Sequence, residues 1–438
     1  MIKCIIETTS FLNKIALFKD ENPIKISVSD PNCPVVGSIY RAEPVKFMPA
    51  LGGVFLRLDK ENIGYLNTSE KKDEYIVKIK REPIDDKKYL LSEEISLEGV
   101  SVIYIPSKNE FALSNKIRED EHTQSKISEI QKFTDISGII FRSSFLDFDN
   151  EFIINEIKTL KEKYDKILDK SLINTERLLY TKEFWKIFFD NLHEKQIDML
   201  VCSDKVLLEE IIKYLKKRVE IKNTSLNKTD AIDVKTVCKN KFAYGQISLT
   251  LEETEAFTIF DVNSGYQGKF SNKEDTVLDV NLQASRKIFD LINLRNIGGK
   301  ICIDYIYMKN RKNRDKLISE IKKLCLAENV KTGFKDMTST GIVELIRKKD
   351  GESLRRRLFV SDGYLTYKKE NLIFDEIENK LKLDITHREF KKISVYLPEY
   401  VKNFKFAEDI LKKKYAVDIN LKSRTRELKY DELKFEYE

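Results

Sequence analysis

Thr254-Glu255-Ala256-Phe257-Thr258-Ile259-Phe260-Asp261-Val262-Asn263-Ser264-Gly265 reads as a strand that ends in a cluster of oxygen ligands. The two-residue alternation of a strand puts Phe257, Ile259, Asp261 and Asn263 on one face, so Asp261 and Asn263 can address one ligand. Further along, Ile301-Cys302-Ile303-Asp304-Tyr305-Ile306 predicts a second apolar strand with one carboxylate inside it. Burying a lone carboxylate among Ile side chains costs on the order of several kcal/mol unless something compensates, and a divalent cation is the economical explanation. Between the two, Val277, Val280, Leu282, Ile288, Leu291 and Ile292 recur at helical spacing and predict a helix over 277–295. Gly298-Gly299 behind it suits a helix C-cap and a tight turn. Strand, helix, turn and strand bring both strand ends to one side of a sheet, where sites in α/β folds usually sit. An isolated Asp at a strand end more often caps a turn than binds a ligand. The order and spacing of the whole segment favour the ligand. Two carboxylates and an amide suit Mg²⁺, which takes few protein oxygens and keeps several waters.

Composition bounds the remainder. A chain of 438 residues, 41% hydrophobic and 34% charged, has the balance of a well-cored protein of roughly two to four domains. No apolar run reaches membrane-spanning length and residues 1–7 do not form a signal peptide, so a cytoplasmic location is expected. Cys4, Cys33, Cys202, Cys238, Cys302 and Cys325 show no close pairing and read as reduced core residues. A net charge of +6 says little about a polyanionic partner. Local density says more: Lys309, Arg311, Lys312, Arg314 and Lys316, then 347–357, are basic segments that fit an RNA track or, equally, solvated helix faces. His122, His193 and His387 are scattered and form no acid and base pair, and no Walker-type string occurs.

TEAFTIFDVNSG, then NLQASRKIFDLINLRNIGGKICIDYIYM, then Thr340-Gly341-Ile342-Val343-Glu344-Leu345 with Arg347-Lys348-Lys349 resemble the catalytic core of the ribonuclease E/G family. The resemblance implies that Asp261 and Asp304 hold Mg²⁺, with Mn²⁺ as a substitute, and that Asn263 positions the scissile phosphate. It implies hydrolysis to a 5′-phosphate and a 3′-hydroxyl. The family's second acid, three positions after Asp304, is replaced by Tyr307; that acid is taken to be structural.

Short strands at 36–42, 54–58, 63–66, 75–81 and 101–106, with Gly at the turns, predict a small barrel. They resemble the family's OB-fold barrel of the S-one type, in which the places of Phe55 and Tyr65 contact bases; the alternative is that both rings fill the barrel core. Ser137-Gly138-Ile139-Ile140-Phe141-Arg142-Ser143 resembles the family strand whose Arg and Thr bind an RNA 5′-monophosphate, carried here by Arg142 and Ser143. A strand-end Arg in a surface salt bridge is the plainer reading. Asp198 and Asp204 find no role.

The implied architecture is a multidomain α/β chain. A ribonuclease H-like domain (1–34 and 184–245) holds the inserted barrel (35–106) and a 5′-sensor domain (107–183). A DNase-I-like catalytic α/β domain (246–350), a linker (351–384) and a small α+β C-terminal domain (385–438) follow. Family members usually carry Cys-Pro-x-Cys after the basic segment, where two subunits share zinc. Here Leu358-Phe359-Val360-Ser361-Asp362-Gly363-Tyr364 stands in that region and no Cys follows Cys325, so no zinc is expected. A homodimer would rest on other contacts, and no degradosome-scaffolding tail is expected. The implied activity is a Mg²⁺-dependent endoribonuclease on single-stranded, A/U-rich RNA, stimulated by a 5′-monophosphate, in rRNA processing and mRNA decay. The alternatives are a non-catalytic RNA-binding protein of the same fold and a nuclease acting on DNA.

Overall fold

In the computed structural model the opening stretch is the strand Phe257–Ser264, and its alternation is that of a half-buried strand: Thr258, Phe260 and Val262 are buried, while Phe257, Ile259 and Asn263 are exposed. The structure describes residues 1–84, 87–114, 117, 120–173, 176–190, 192, 196–216, 219–226, 232–264, 273–349, 351–361, 366–423 and 432–438. Asn115, Lys116, His193, Gly265, Asp362, Gly363 and Tyr364 lie outside the described residues.

The helix Lys273–Leu294 carries the chain over to the strand Gly299–Asp304, which pairs with Phe257–Ser264 in parallel. A six-stranded sheet results, in the order Lys241–Tyr244, Ile247–Glu253, Phe257–Ser264, Gly299–Asp304, Ile342–Arg347, Thr332–Met337. The helices Lys273–Leu294 and Arg311–Ala327 cover one face, burying Phe260, Val262, Ile288, Ile292, Ile301, Ile303, Leu317 and Ile321 in one core. On the other face Phe257, Ile259, Lys300, Asp304 and Ile346 are exposed. The helix end differs in detail from the expectation: Asn296 takes the left-handed conformation (φ 52°) and the Ile297 N–H donates to Ile292 O at 2.9 Å, so Asn rather than Gly makes the cap. Gly298 packs closely instead, since a Cβ there would sit 3.1 Å from Lys348 O.

The chain divides into two compact units, Met1–Asn32 with His193–Glu438, and Cys33–Leu192. Besides the six-stranded sheet, the first unit holds a five-stranded sheet in the order Glu220–Ser225, Gln196–Cys202, Ile2–Thr8, Asn13–Lys19, Asn22–Ser29. It also holds a three-stranded sheet around Lys392–Leu397, packed under the helices Glu370–His387 and Lys405–Tyr415.

In the second unit Ile39–Met48, Gly53–Arg57, Ile63–Asn67, Tyr89–Ser92 and Tyr75–Arg81 pair in turn, and Tyr75–Arg81 pairs back onto Ile39–Met48 to close a five-strand barrel. The 101–106 segment, expected in the barrel, leaves it: Val102–Tyr104 pairs with Ile139–Phe141 in a four-stranded sheet. Val102 and Tyr104 fill the same core as Ile139, Phe141 and Ile157. The close approach needs Gly138, at φ 77°, where a Cβ would lie 2.2 Å from Ile105 O. The thiols of Cys4, Cys202, Cys238 and Cys325 are buried as expected, but Cys33 is exposed, lying in the turn before the barrel rather than in a strand.

Candidate active site

Asp261 and Asp304 are cross-strand partners, the last pair of the parallel register, with Asp304 ending its strand and Asp261 three residues short of the end of its own. Neighbouring strands run ~4.8 Å apart, so the two carboxylates stand side by side on the open face. Asn263, two residues on and on the same face, donates its amide Nδ2 to Asp261 Oδ2 at 2.6 Å. The structure thus brings Asp261, Asn263 and Asp304 together.

Asp304 is not buried among Ile side chains as expected. It is the last residue of its strand and exposed, while Ile301 and Ile303 point to the opposite, helix-covered face. Desolvation therefore does not call for a cation here. Like charges set directly opposite each other on neighbouring strands repel, and a counter-charge between them would relieve that repulsion.

A set of buried polar contacts that the sequence reading did not single out fixes this strand end. Asn281, fully buried on the crossover helix, donates Nδ2 to Ile306 O at 2.8 Å and accepts from the Ile306 N–H at 3.2 Å. Ser285, one helical turn on, gives its hydroxyl to Asn281 O and lies 2.7 Å from the Tyr305 hydroxyl, whose pKa burial pushes well up. Glu274 accepts from the N–H groups of Lys309 and Asn310. The helix thereby clamps the backbone on the far side of Asp304. The signal was present in the sequence as two polar residues, i and i+4, on an apolar helix face.

The donor set is oxygen only. Among the described residues no three or more His, Cys, Asp or Glu cluster as a metal cage. Two adjacent carboxylates fit a small hard cation that keeps several waters, and do not fit a thiolate or imidazole metal centre. Tyr307 is 54% exposed beyond the strand end.

The basic segments divide. Lys309, Arg311, Lys312 and Lys316 are exposed. Arg314 closes the carbonyls of Met308 and Lys309 at 2.7 and 2.9 Å. Arg347 is buried and bonds Ile297 O and Asn293 Oδ1. Arg355 bonds Cys238 O, Arg356 bonds Thr254 O and Arg357 bonds Val28 O. The second basic segment is therefore largely committed to backbone carbonyls, and the charge read from the sequence as an RNA track is narrower than expected. Asp198 and Asp204 are structural: the Ile2 N–H and Lys222 pull the Asp198 carboxyl down to about 2, and Asp204 caps the helix Lys205–Leu215.

In the second unit Phe55 and Tyr65 are cross-strand partners with ring centroids 5.5 Å apart. Both rings are half-buried, whereas Val54, Leu56 and Leu66 fill the barrel interior, so the rings lie outside the barrel core. Gly53 makes room for the Tyr65 ring: a Cβ there would sit 2.5 Å from its hydroxyl oxygen. Arg142 and Ser143 follow the strand Ile139–Phe141. Arg142 is half-buried and donates Nη1 to Gly99 O at 2.8 Å, while Ser143 is exposed. Glu156 braces the adjoining loop by accepting from the N–H groups of Val100 and Ser101.

Comparison with known proteins shows which family the chain resembles. The sequence profile described as the Ribonuclease E/G family matches residues 96–350. The chain is 27% identical over 373 residues to a ribonuclease E/G-like protein of Pyropia yezoensis, covering 76% of this chain and 72% of that one. It is 23% identical over 367 residues to ribonuclease G of Haemophilus influenzae, covering 74% of each. It is 23% identical over 359 residues to ribonuclease E of Synechocystis, of which 53% is covered. With the profile running through both Asp261 and Asp304 and over more than half of the sequence, the chain belongs to the ribonuclease E/G family.

Proposed function

We propose that the chain cuts single-stranded RNA at the open sheet face, with a Mg²⁺ ion held by Asp261 and Asp304. Membership of the family makes it an endoribonuclease, a phosphodiester hydrolase. The observation that carries the metal reading is the register of the two carboxylates, with the Asn263 amide on the same face. Bound there, Mg²⁺ would polarise the scissile phosphate and lower the pKa of a water. Asp261 and Asp304 supply the negative charge that holds the cation. Asn263 spends one amide N–H on Asp261 and keeps the other for a phosphate oxygen, which orients the substrate. Products are a 5′-phosphate and a 3′-hydroxyl.

The closed barrel is assigned as the S-one type RNA-binding module, with Phe55 and Tyr65 as its stacking pair. The sheet and helices after it are assigned as the 5′-sensor, where the free side of the Arg142 fork and the Ser143 hydroxyl take a terminal phosphate. The five-stranded sheet is assigned to a ribonuclease H-like domain, the six-stranded sheet to a DNase-I-like catalytic domain and the three-stranded sheet to the small C-terminal domain. rRNA precursors and mRNA in the cytoplasm are the substrates we assign, with A/U-rich single strands preferred, and a homodimer is the assembly we assign.

The test is cleavage of a single-stranded RNA oligonucleotide bearing a 5′-monophosphate or a 5′-hydroxyl, with Mg²⁺ or with EDTA, by wild type and Asp304→Asn. Metal-dependent cutting that vanishes in the variant supports the reading. A well-folded wild type that binds the RNA and does not cut it would instead be a non-catalytic RNA-binding protein.

A further inference from the structure

We propose that the open sheet face carries a base-stacking subsite, built from Phe257, Ile259 and Lys300, for a nucleotide of the RNA that flanks the scissile phosphate; it rests on the nuclease reading above. Phe257 and Ile259 are each 40% exposed, and Ile346 on the same face is 44% exposed. They sit beside the candidate catalytic residues, because Phe257, Ile259, Asp261 and Asn263 are one face of one strand. At ~3.3 Å per residue Phe257 lies roughly 13 Å along the strand from Asp261. That is too far for the scissile phosphate and within reach of a neighbouring nucleotide.

Lys300 is the cross-strand partner of Phe257, and its ammonium stands 5.2 Å from the ring centroid. A ring beside a cation meets a nucleotide twice, the base on the ring and a phosphate on the ammonium. Phe257 is also held in place: its N–H donates to Thr254 Oγ1 at 3.1 Å, and that hydroxyl donates back to Phe257 O at 2.8 Å. The charges around the strip set the orientation of the strand. Glu252 and Glu344 are exposed on the flanking strands, opposite Ile259 and Cys302. They repel phosphates from the middle of the strip, which turns the backbone outward and the bases towards Ile259 and Phe257. The occupant is therefore single-stranded RNA with unstacked bases; a duplex keeps those base faces covered.

The test uses the full chain and a 5′-monophosphorylated RNA oligonucleotide with one cleavage site, into which a single abasic residue is placed at each flanking position in turn. For wild type one position should cost about tenfold in kcat/KM. For Phe257→Ala that position should become silent while the others keep their wild-type values, and Phe257→Trp should restore the penalty. A parallel arm places 2-aminopurine at that position and follows fluorescence quenching on binding to Asp304→Asn in EDTA, which reads stacking without cutting. Cleavage by wild type with the same abasic scan in Phe257→Ala overturns the subsite and leaves the nuclease standing. Absence of cleavage by wild type overturns the nuclease; 2-aminopurine is then scanned through every position of the RNA, and quenching that Phe257→Ala does not reduce overturns the stack as well. An unchanged scan together with a shift of Phe257→Ala from dimer to monomer in light scattering makes the strip a self-association face and overturns the subsite.

Discussion

Asp261 and Asp304 face each other across neighbouring parallel strands, two carboxylates in one register on the solvent side of the sheet. Such a pair repels across the register, and the proposed Mg²⁺ between them would offset that repulsion. Asp304→Asn should therefore lower Mg²⁺-dependent cleavage by roughly a hundredfold or more and leave RNA affinity within about twofold, since few RNA contacts are removed. Thermal unfolding should show a midpoint equal to or above that of wild type. A variant that unfolds, or that cuts normally, would count against the metal site.

Asn281 stands behind that pair as a positioning residue. Its amide makes both hydrogen bonds to Ile306 from a fully buried place. Asn281→Ala should cost roughly 1–3 kcal/mol in urea unfolding, the penalty for leaving backbone groups unpaired. It should also raise the Mg²⁺ concentration for half-maximal cleavage by about tenfold, because the Asp304 strand end loosens. An unchanged Mg²⁺ titration with reduced stability would make Asn281 a residue of the core alone.

The strand Phe257–Ser264 was readable from the sequence because apolar and polar residues alternate through a sheet with one covered face. The same period, applied to Lys300, Cys302 and Asp304, would have placed Asp304 on the open face opposite Ile301 and Ile303; apolar neighbours in sequence are not neighbours in space on a strand. Charge density misled in a different way. Arg347 and Arg355 look the same in sequence as Lys309 and Arg311, and only tertiary contacts reveal that their guanidinium groups close carbonyls inside the fold. The 101–106 strand has barrel-like composition, and its partner, Ile139–Phe141, lies too far along the chain for local patterns to disclose.

Arg142 Nη1 holds Gly99 O, and in the proposed sensor the rest of its guanidinium fork takes the terminal phosphate. Arg142→Ala should reduce the preference for 5′-monophosphorylated over 5′-hydroxylated RNA by about tenfold, with cutting of circular RNA unchanged. Arg142→Lys keeps the charge and loses the fork, so it should recover only part of the preference. Equal loss on linear and circular substrates would sink the sensor role.

Lys14 is a buried cation of the first unit, 2.7 Å from Asp375 and 2.8 Å from Glu7, with its side chain 5% exposed. The Thr9 hydroxyl and the Ile232 N–H complete the two carboxylates. Lys14→Met leaves both carboxylates buried without their cation and should cost roughly 3–5 kcal/mol in urea unfolding at pH 7. Burial pulls the ammonium's pKa down, but Asp375 and Glu7 outweigh it and hold it above its ordinary 10.5. A cation whose folded pKa is raised contributes stability that is fully present below its unfolded pKa and is lost as pH climbs through the folded one. The gap between wild type and Lys14→Met should thus shrink once the pH passes 10.5. A variant as stable as wild type at pH 7, or a gap unchanged in strong base, would show that the charge of Lys14 does not hold these elements together.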